Sequence, residues 1–555
     1  MPLVRPTPPT FDAAAWPRLP FPERLRVAAQ DWAVNGFGAP AATYSFYLAK
    51  LAVYVGVWMF FVGRTPGLGA PTELASWWAE PIAFQKAILW TLAFEGLGLG
   101  CASGPLTARY LPPVSAFLHF ARPGTIRLPP WPDRVPLTAG DRRSPVDAGL
   151  YVLHLALVLR ALLAPDLDLV HLVPVVVVLS VLGLRDKTVF LASRSEHYLT
   201  TIVVFLFAGD LIAGSKVVQV AIWWWAATSK LNLHFPAVIA VMLSNHPLLP
   251  RRLRRALFRG YPDDLRPSRL PFTLAHAGTV VEYAFPVLLL LGTGGTLTRI
   301  GLVVMVAFHL YILTSVPVAV PLEWNVLVIY AGLFLFGAHA DVRAWDIDSP
   351  LLVAFLLVAV VLVPLIGNLS PARISFLPSM RYYAGNWGFS WWLFRDDAID
   401  RLDGAAIVTV SRDVATQLER FFDRETATTL MARGMAFRAM HLHGRVLPDL
   451  AVRAVDDVER YDIRDGEMIA GRVLGWNFGD GHLHHEQLLA AVQDRCGFAS
   501  GELRCIFVES QPMGRPTLHW RIVDAADGQL EEGHAQVRDL IERQPWPHAT
   551  SGGRP

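Results

Sequence analysis

Long apolar runs separated by polar connections dominate the first 367 residues of the chain. Most of these runs are long enough to cross a hydrocarbon core of about 30 Å as a helix. The hydrophobic pattern therefore predicts ten membrane spans, which lie at 43–63, 83–101, 147–164, 169–184, 197–214, 217–246, 273–293, 300–319, 322–338 and 351–367.

Composition and charge agree with a membrane protein. Hydrophobic residues make up 53% of the 555 residues and charged residues only 17%, which lies outside the usual range of soluble domains. The net charge of +2 gives no signal for nucleic acid, because the basic residues cluster in the connections 102–146, 185–196 and 247–272. Basic connections face the cytoplasm. We therefore expect a multi-pass protein of the cell (plasma) membrane with both termini cytoplasmic and no cleavable signal peptide.

The sequence changes character after residue 367. The aromatic stretch RYYAGNWGFSWWLFR (381–395) is too short to span a membrane and predicts an interfacial helix. Residues 411–440 have the pattern of an amphipathic helix, and GELRCIFVESQP and PTLHWRIVDAADG have the pattern of two strands. The predicted fold is an all-α polytopic membrane bundle of about ten transmembrane helices with a C-terminal cytoplasmic α+β domain. Its predicted parts are an N-terminal cytoplasmic or interfacial segment (1–42), the bundle (43–367), an interfacial aromatic linker (368–396), the soluble domain (397–545) and a disordered tail (546–555).

Ionisable side chains lie at membrane depth in several predicted spans, where each costs about 2.5–3.5 kcal/mol or more. Five of them are far from the span ends: Glu95, Asp210, Lys230, Glu282 and His309. Any one of these groups alone is explained by an interhelical salt bridge or hydrogen bond. Together they predict that the bundle encloses a polar cavity, to which we also assign Asn232 and His234.

Lys230 follows three consecutive tryptophans in the stretch AIWWWAATSKLNLHFP. Burial in an apolar pocket favours the neutral amine, which a general base or nucleophile requires. A neighbouring carboxylate such as Asp210 favours the charged ammonium instead. The sequence leaves both states open.

Three segments resemble elements of the HTTM family, the horizontally transferred transmembrane domain that includes vitamin K-dependent gamma-carboxylase. These segments are WWWAATSKLN, VVEYAFPVLLLL and RIGLVVMVAFHLYILTSV. The matching positions are Ala226, Ala227, Ser229, Lys230, Leu231 and Asn232 in the first, Glu282 and Pro286 in the second, and Arg299 and His309 in the third. The resemblance covers roughly residues 150–340. It implies an HTTM-like bundle in which Lys230 is the base that acts on a redox lipid.

Two departures argue against the carboxylase reaction itself. His234-Phe235-Pro236 replaces the family's tryptophan after Leu-Asp-Ala-Asp, and the large lumenal domain is missing. Over nearly its full length the chain resembles a family of large actinobacterial transmembrane proteins known as a domain of unknown function. This resemblance is carried by GPLTARYLPP, RPGTIRLPPWPDRVPLT and GWNFGDGHLHHEQLLAAVQ, and it implies no activity.

Histidines are concentrated in GWNFGDGHLHHEQLLAA (475–491). His482, His484 and His485 are weak metal candidates, because no spacing matches the i, i+4 histidine pair of a zinc protease. The same residues fit the polar start of a helix at Glu486, or a patch that contacts a partner or substrate. Three cysteines, at 101, 496 and 505, show no metal spacing. We therefore predict no metal and leave the cofactor open.

The favoured hypothesis is a membrane enzyme that modifies a lipid-soluble, isoprenoid- or quinone-like substrate. Lys230 would be its general base, with Asp210, Asn232, His234, Glu282 and His309 lining the cavity. The alternatives are a transporter or lipid-trafficking component, and a scaffold whose C-terminal domain docks a partner. The lack of an inverted repeat and of discontinuous short helix pairs in the pattern counts against transport. The expected partners are the bilayer and a lipid or quinone-like ligand, with no nucleic acid, and the oligomeric state stays open.

Overall fold

The computed structural model describes residues 2–547 except 102, 104–110, 133, 316–320, 383 and 406. Helices make up most of the described part, which also contains a two-stranded ribbon and a five-stranded sheet. The predicted tail from residue 548 onward lies outside the described residues, as does most of the motif GPLTARYLPP.

Seventeen α-helices precede residue 370. They are α1 (Phe21–Asn35), α2 (Ala41–Gly63), α3 (Leu74–Trp77), α4 (Pro81–Gly96), α5 (Ser115–Phe120), α6 (Pro145–Leu163), α7 (Leu169–Arg185), α8 (Lys187–Ala192), α9 (Tyr198–Phe205), α10 (Leu211–Ser229), α11 (Phe235–Asn245), α12 (Arg251–Ala256), α13 (Arg269–Leu291), α14 (Thr296–Ser315), α15 (Leu322–Gly332), α16 (Pro350–Leu356) and α17 (Val363–Leu369), counted over the described residues. π-Helical turns at Leu333–Ala338 and Leu357–Leu362 extend α15 and join α16 to α17.

The remaining elements belong to the ribbon and the C-terminal domain. The helices are α18 (Arg401–Gly404), α19 (Val414–Glu419), α20 (Arg424–Met440), α21 (Leu447–Ala454), α22 (Gly466–Leu474), α23 (Glu486–Cys496) and α24 (Val537–Ile541). The strands are β1 (Phe258–Gly260), β2 (Asp264–Pro267), β3 (Phe389–Arg395), β4 (Tyr461–Asp465), β5 (Leu503–Val508), β6 (Thr517–Asp524) and β7 (Gly528–Gln536). The predicted strands are confirmed as β5 and β6, and the predicted helix start at Glu486 is confirmed by α23. The predicted amphipathic stretch forms two helices, α19 and α20.

The described residues contain fewer candidate spans than the ten predicted, and that number is not confirmed. Among the described residues, five helices are long and apolar enough to cross a membrane: α2, α6, α13, α14 and the continuous helix Pro350–Leu369. A sixth candidate is the pair Tyr198–Phe205 and Ala208–Ser229, which is bent by 119°. The other predicted spans are short helices such as α7, or helices enclosed by protein such as α4, which is buried from Ala83 to Gly96. Apolar sequence alone does not distinguish a helix inside a bundle from one that faces lipid.

The predicted span 217–246 is broken at Lys230. Helix α10 ends at Ser229 and α11 begins only at Phe235. Pro236 lies in the first turn of α11, where its missing N–H costs nothing, whereas inside a continuous helix it would clash with the preceding turn. Lys230 therefore stands at a helix end and not in the middle of a membrane helix.

The aromatic stretch 381–395 does not form the predicted interfacial helix. Its second half is strand β3, which pairs with β4 on one side and β5 on the other in an antiparallel sheet of order β4-β3-β5-β6-β7. The strand is buried from Phe389 to Phe394. Aromatic residues favour strands whose side chains pack on both faces of a sheet. The aromatic character therefore reflects a buried strand at the centre of the C-terminal domain.

The N-terminal helix α1 packs against α20 and α11, and so connects the C-terminal domain to the bundle. Its Asp31 forms a fully buried ion pair with Arg433 of α20, with 2.7 Å between carboxylate and guanidinium. On another side, Asn232 of the break at Lys230 contacts the segment that follows β5. The broken helix is thus held by both the bundle and the C-terminal domain.

Candidate functional site

Lys230 and Glu282 form a buried ion pair between the end of α10 and the middle of α13. The two residues are only 5% and 3% exposed. The ammonium also lies 5.8 Å from the ring centre of Phe235 and 5.9 Å from that of Phe308. Glu282, and not Asp210, is therefore the carboxylate that balances the charge of Lys230.

A cavity of about 80 Å³ adjoins this pair between α11, α13 and α14. Its walls are apolar apart from Lys230, Glu282, Tyr311 and Ser315. Leu274 and Tyr311 line the cavity and are also 38% and 44% exposed on the outer surface of the bundle. The cavity consequently lies directly behind the outer surface of α13 and α14, which are two of the candidate membrane spans.

His309 lies behind the cavity wall formed by its neighbour Phe308. Its Nε2 accepts a hydrogen bond from Trp223 Nε1 at 3.0 Å, so its Nδ1 is left to donate to Asn325 Oδ1 at 2.8 Å. Both ring nitrogens are therefore engaged, and the ring is held as one neutral tautomer.

The other three predicted cavity residues point elsewhere. Asp210 accepts hydrogen bonds from the backbone of Asp348 and Ser349, at 2.8 and 3.1 Å, and so holds the chain at the start of α16. Nε2 of His234 lies 2.6 Å from the carbonyl oxygen of Ala384. Asn232 accepts a bond from the N–H of Gly514 at 3.2 Å. The structure thus joins Lys230 with Glu282. His309 lies behind Phe308 and bonds to other residues, while His234 and Asn232 face the C-terminal domain.

A second group of buried charges contains Glu95, which the sequence identified, and Arg194 and Glu196, which it did not. Arg194 is 1% exposed, pairs with Glu196 at 2.9 Å and donates to Cys101 Sγ at 3.2 Å. The backbone N–H of Cys101 in turn donates to Glu95 at 2.9 Å. In the sequence, Arg194 lies in the short connection 185–196, where basic residues indicate the cytoplasmic side of the membrane. The nearby Glu196 is the sequence feature that could have indicated an ion pair inside the protein.

Arg194 also borders an aromatic cavity of about 90 Å³ lined by Trp324, Tyr382 and Trp387. Met242 of α11 lines both this cavity and the one beside Lys230. The two cavities are therefore separated by little more than one flexible side chain.

Comparison with known proteins identifies the family without identifying a reaction. A family model described as a transmembrane protein of unknown function (DUF3556) matches residues 1–552. The chain belongs to this family. No curated protein and no solved structure matches it. DUF3556 membership confirms the prediction of a transmembrane protein of unknown function, whereas the resemblance to HTTM stays a prediction. The chemistry must therefore be argued from the side chains.

The C-terminal domain of this DUF3556 protein contains a cluster of His482, His485 and Glu509. One potential ligand atom from each residue lies within 4.8 Å of those of the other two. His484, the third histidine of the sequence motif, instead places Nδ1 2.7 Å from Ser390 Oγ. Burial lowers the pKa of His484 to about 4, so its ring is neutral at pH 7. The sequence pattern found two members of the cluster but could not find Glu509.

Proposed function

We propose that this DUF3556 protein is a membrane enzyme that acts on a lipid-soluble substrate, with Lys230 as the proton-transferring group. The observation that carries the proposal is the buried Lys230–Glu282 pair at the wall of an apolar cavity directly behind the surface of two candidate spans. Buried ionisable pairs inside a membrane bundle are costly and mark functional sites. A substrate dissolved in the bilayer can reach this cavity without crossing water.

The pair suits proton transfer in an apolar setting. Moving a proton from the Lys230 ammonium to Glu282 leaves a free amine beside a neutral acid, and no net charge enters or leaves the interior. The free amine then accepts a proton from an acidic O–H or C–H of the substrate. His309 is held as a neutral ring by its two hydrogen bonds and so adds no positive charge close to the amine.

The size of the cavity favours a substrate that inserts a flexible chain over one that inserts an aromatic ring. An engineered apolar cavity that binds benzene has a volume of about 150 Å³. The cavity beside Lys230 measures about 80 Å³, which is too small for an aromatic head group unless the walls move. Among lipid-soluble substrates, an isoprenoid or acyl chain therefore fits better than a quinone ring.

The experiment blocks the cavity without removing the charges. A Cβ added at Gly278, which lines the cavity on α13, meets no atom within 4 Å, so Gly278→Leu fills the entrance without a backbone clash. The same is true of Gly56 on α2, which is remote from the cavity and provides the matched control Gly56→Leu. Cells that lack the protein are complemented with each variant, and their lipids are compared by mass spectrometry.

We expect Gly278→Leu and Lys230→Met to leave one lipid species unmodified, while Gly56→Leu restores the parental profile. Lys86→Met is the control for the loss of a buried lysine, because Lys86 donates to Thr65 Oγ1 at 2.6 Å and pairs with no carboxylate among the described residues. Full restoration by both Gly278→Leu and Lys230→Met would exclude the proposed site.

Transport or trafficking of a lipid is the second candidate, because the described residues contain discontinuous helices that the sequence pattern did not predict. The pair Tyr198–Phe205 and Ala208–Ser229 is bent by 119°, and the chain is broken again between α10 and α11. Discontinuous helices of this kind build substrate sites in transporters. The lipid comparison separates the two functions: an enzyme changes which lipids are made, whereas a transporter changes only which membrane or leaflet holds them.

A further inference from the structure

His482, His485 and Glu509 come from three different elements of the C-terminal domain. His482 lies in a 3-10 turn, Gly481–Leu483, which is capped by Asp480. His485 immediately precedes α23, and Glu509 immediately follows β5. A backbone N–H fixes the carboxylate, since Ser510 donates to Glu509 Oε1 at 2.9 Å. The three side chains are therefore set on rigid supports.

The spacing between His482 and Glu509 is long for a charge-assisted hydrogen bond. Nε2 of His482 lies 3.4 Å from Glu509 Oε2. A charge-assisted hydrogen bond between these groups would be about 2.7–2.9 Å long. Two ligands at about 2.1 Å from a tetrahedral ion are separated by about 3.4 Å. The observed separation thus matches two ligands of one ion better than a donor and its acceptor.

His485 provides an independent observation. It is 6% exposed, and its ring centre lies 5.7 Å from that of His482. Its Nε2 is buried, and within the described part of the chain no group forms a hydrogen bond with it. A buried polar atom without a partner costs about 1–3 kcal/mol. A bound ion removes this cost.

We propose that His482, His485 and Glu509 bind one divalent transition-metal ion. Two imidazoles and one carboxylate are a donor set used by zinc hydrolases and by non-haem iron(II) enzymes. Three protein ligands leave at least one coordination position of the ion open. The side chain of His482 is 20% exposed, so solvent reaches one side of the cluster. The site is therefore suited to a reactive ion rather than to a purely structural one.

Arg381 is a buried positive charge influenced by Glu509 of the cluster. It is 1% exposed, and its electrostatic partners are Glu509 and Asp480. Its Nε and Nη1 atoms are buried without a hydrogen-bond partner among the described residues. Buried N–H groups without a partner carry a cost, which an anion bound in this part of the domain would reduce.

The test uses the full-length protein, purified in detergent with its affinity tag removed. Bound metal is measured by elemental analysis, and Co²⁺ is titrated as a spectroscopic probe. Anaerobic Fe²⁺ serves as a second probe. We expect about one equivalent of ion per chain, and at least tenfold weaker Co²⁺ binding for Glu509→Gln and His482→Asn. His482→Asn should disturb folding least, since the ring of His482 is partly exposed.

The matched control is His519→Asn. His519 also lies next to a carboxylate, 3.2 Å from Glu532, but on the exposed side of the sheet. We expect this variant to bind one equivalent of Co²⁺ as tightly as the parent protein. The proposal is overturned if the parent protein binds neither Co²⁺ nor Fe²⁺, if His482→Asn binds as well as the parent, or if His519→Asn loses the ion. If Glu509→Gln does not fold, His482→Asn alone decides.

Discussion

The Lys230–Glu282 pair and the His482–His485–Glu509 cluster are both buried groups of ionisable side chains, but they differ in how complete they are. The pair contains one positive and one negative group, and each satisfies the other. Within the part of the chain that the structure describes, the cluster has a buried nitrogen without a hydrogen-bond partner, and Nε2 of His482 lies 3.4 Å from Oε2 of Glu509. The pair is therefore complete within the protein, whereas the cluster has room for the ion proposed above. For this reason we propose proton transfer for the pair and ligand binding for the cluster.

The two regions are also connected. Glu509 is followed by the segment 510–514, which packs against the break in the helix at Lys230. Asn232, two residues after Lys230, donates to the carbonyl groups of Gln511 and Pro512 and accepts from the N–H of Gly514. One short segment therefore joins the end of a sheet strand in the C-terminal domain to the site in the bundle.

The largest effect should come from breaking the complete pair. Lys230→Met leaves the carboxylate of Glu282 buried without its partner, and removing one member of such a pair costs about 3–5 kcal/mol. The double variant Lys230→Met/Glu282→Leu removes both charges and should recover most of that loss. Thermal unfolding in detergent measures both effects.

Lys86→Met is the matched control for this comparison, since it removes a buried lysine whose hydrogen-bond acceptors are neutral. It should cost less than Lys230→Met. If the double variant is no more stable than Lys230→Met, the pair is not charge-balanced as described. In cells, the double variant should remain inactive despite its recovered stability, because it lacks the amine that we propose transfers protons.

An intermediate effect should come from crowding the incomplete cluster. A Cβ added at Gly388 would lie 3.1 Å from Nε2 of His485 and 3.1 Å from Cα of Gly481. Gly388→Ala should therefore weaken Co²⁺ binding about tenfold and cost about 1–3 kcal/mol of stability through overpacking. Gly404→Ala in the same domain meets no atom within 4 Å and should change neither quantity. Equal Co²⁺ binding by the two variants would contradict a site at His485.

The local sequence pattern predicted some strands and helices of the C-terminal domain and not others. Strands β5 and β6 and the start of α23 follow from alternation and helix-start signals that act over a few residues. The strand β3 was misread, because an aromatic segment beside arginines fits both a membrane interface and a buried strand. Composition cannot separate these two environments, and only the pairing with β4 and β5 decides between them.

Local sequence pattern also fails to predict which residues of the candidate sites pair with one another, because the partners lie far apart in the chain. Lys230 and Glu282 were both found as deep ionisable residues, but their pairing depends on how α10 and α13 pack. Asp210 looked equivalent in the sequence, yet it is used to hold the backbone before α16. Glu509 could not be linked to His482 and His485, because the chain forms α23 and β5 before it returns to them.

The smallest effect should come from the connection between the two regions. The hydrogen bonds of Asn232 to the segment 510–514 are 3.2–3.5 Å long, so Asn232→Ala should cost no more than about 1 kcal/mol. A double-mutant cycle with Glu509→Gln, measured by thermal unfolding in the presence of Co²⁺, tests whether the segment transmits metal binding. A coupling energy of about 0.5 kcal/mol or more shows that it does. Additive effects would mean that the pair and the cluster work independently, although only a short loop separates them.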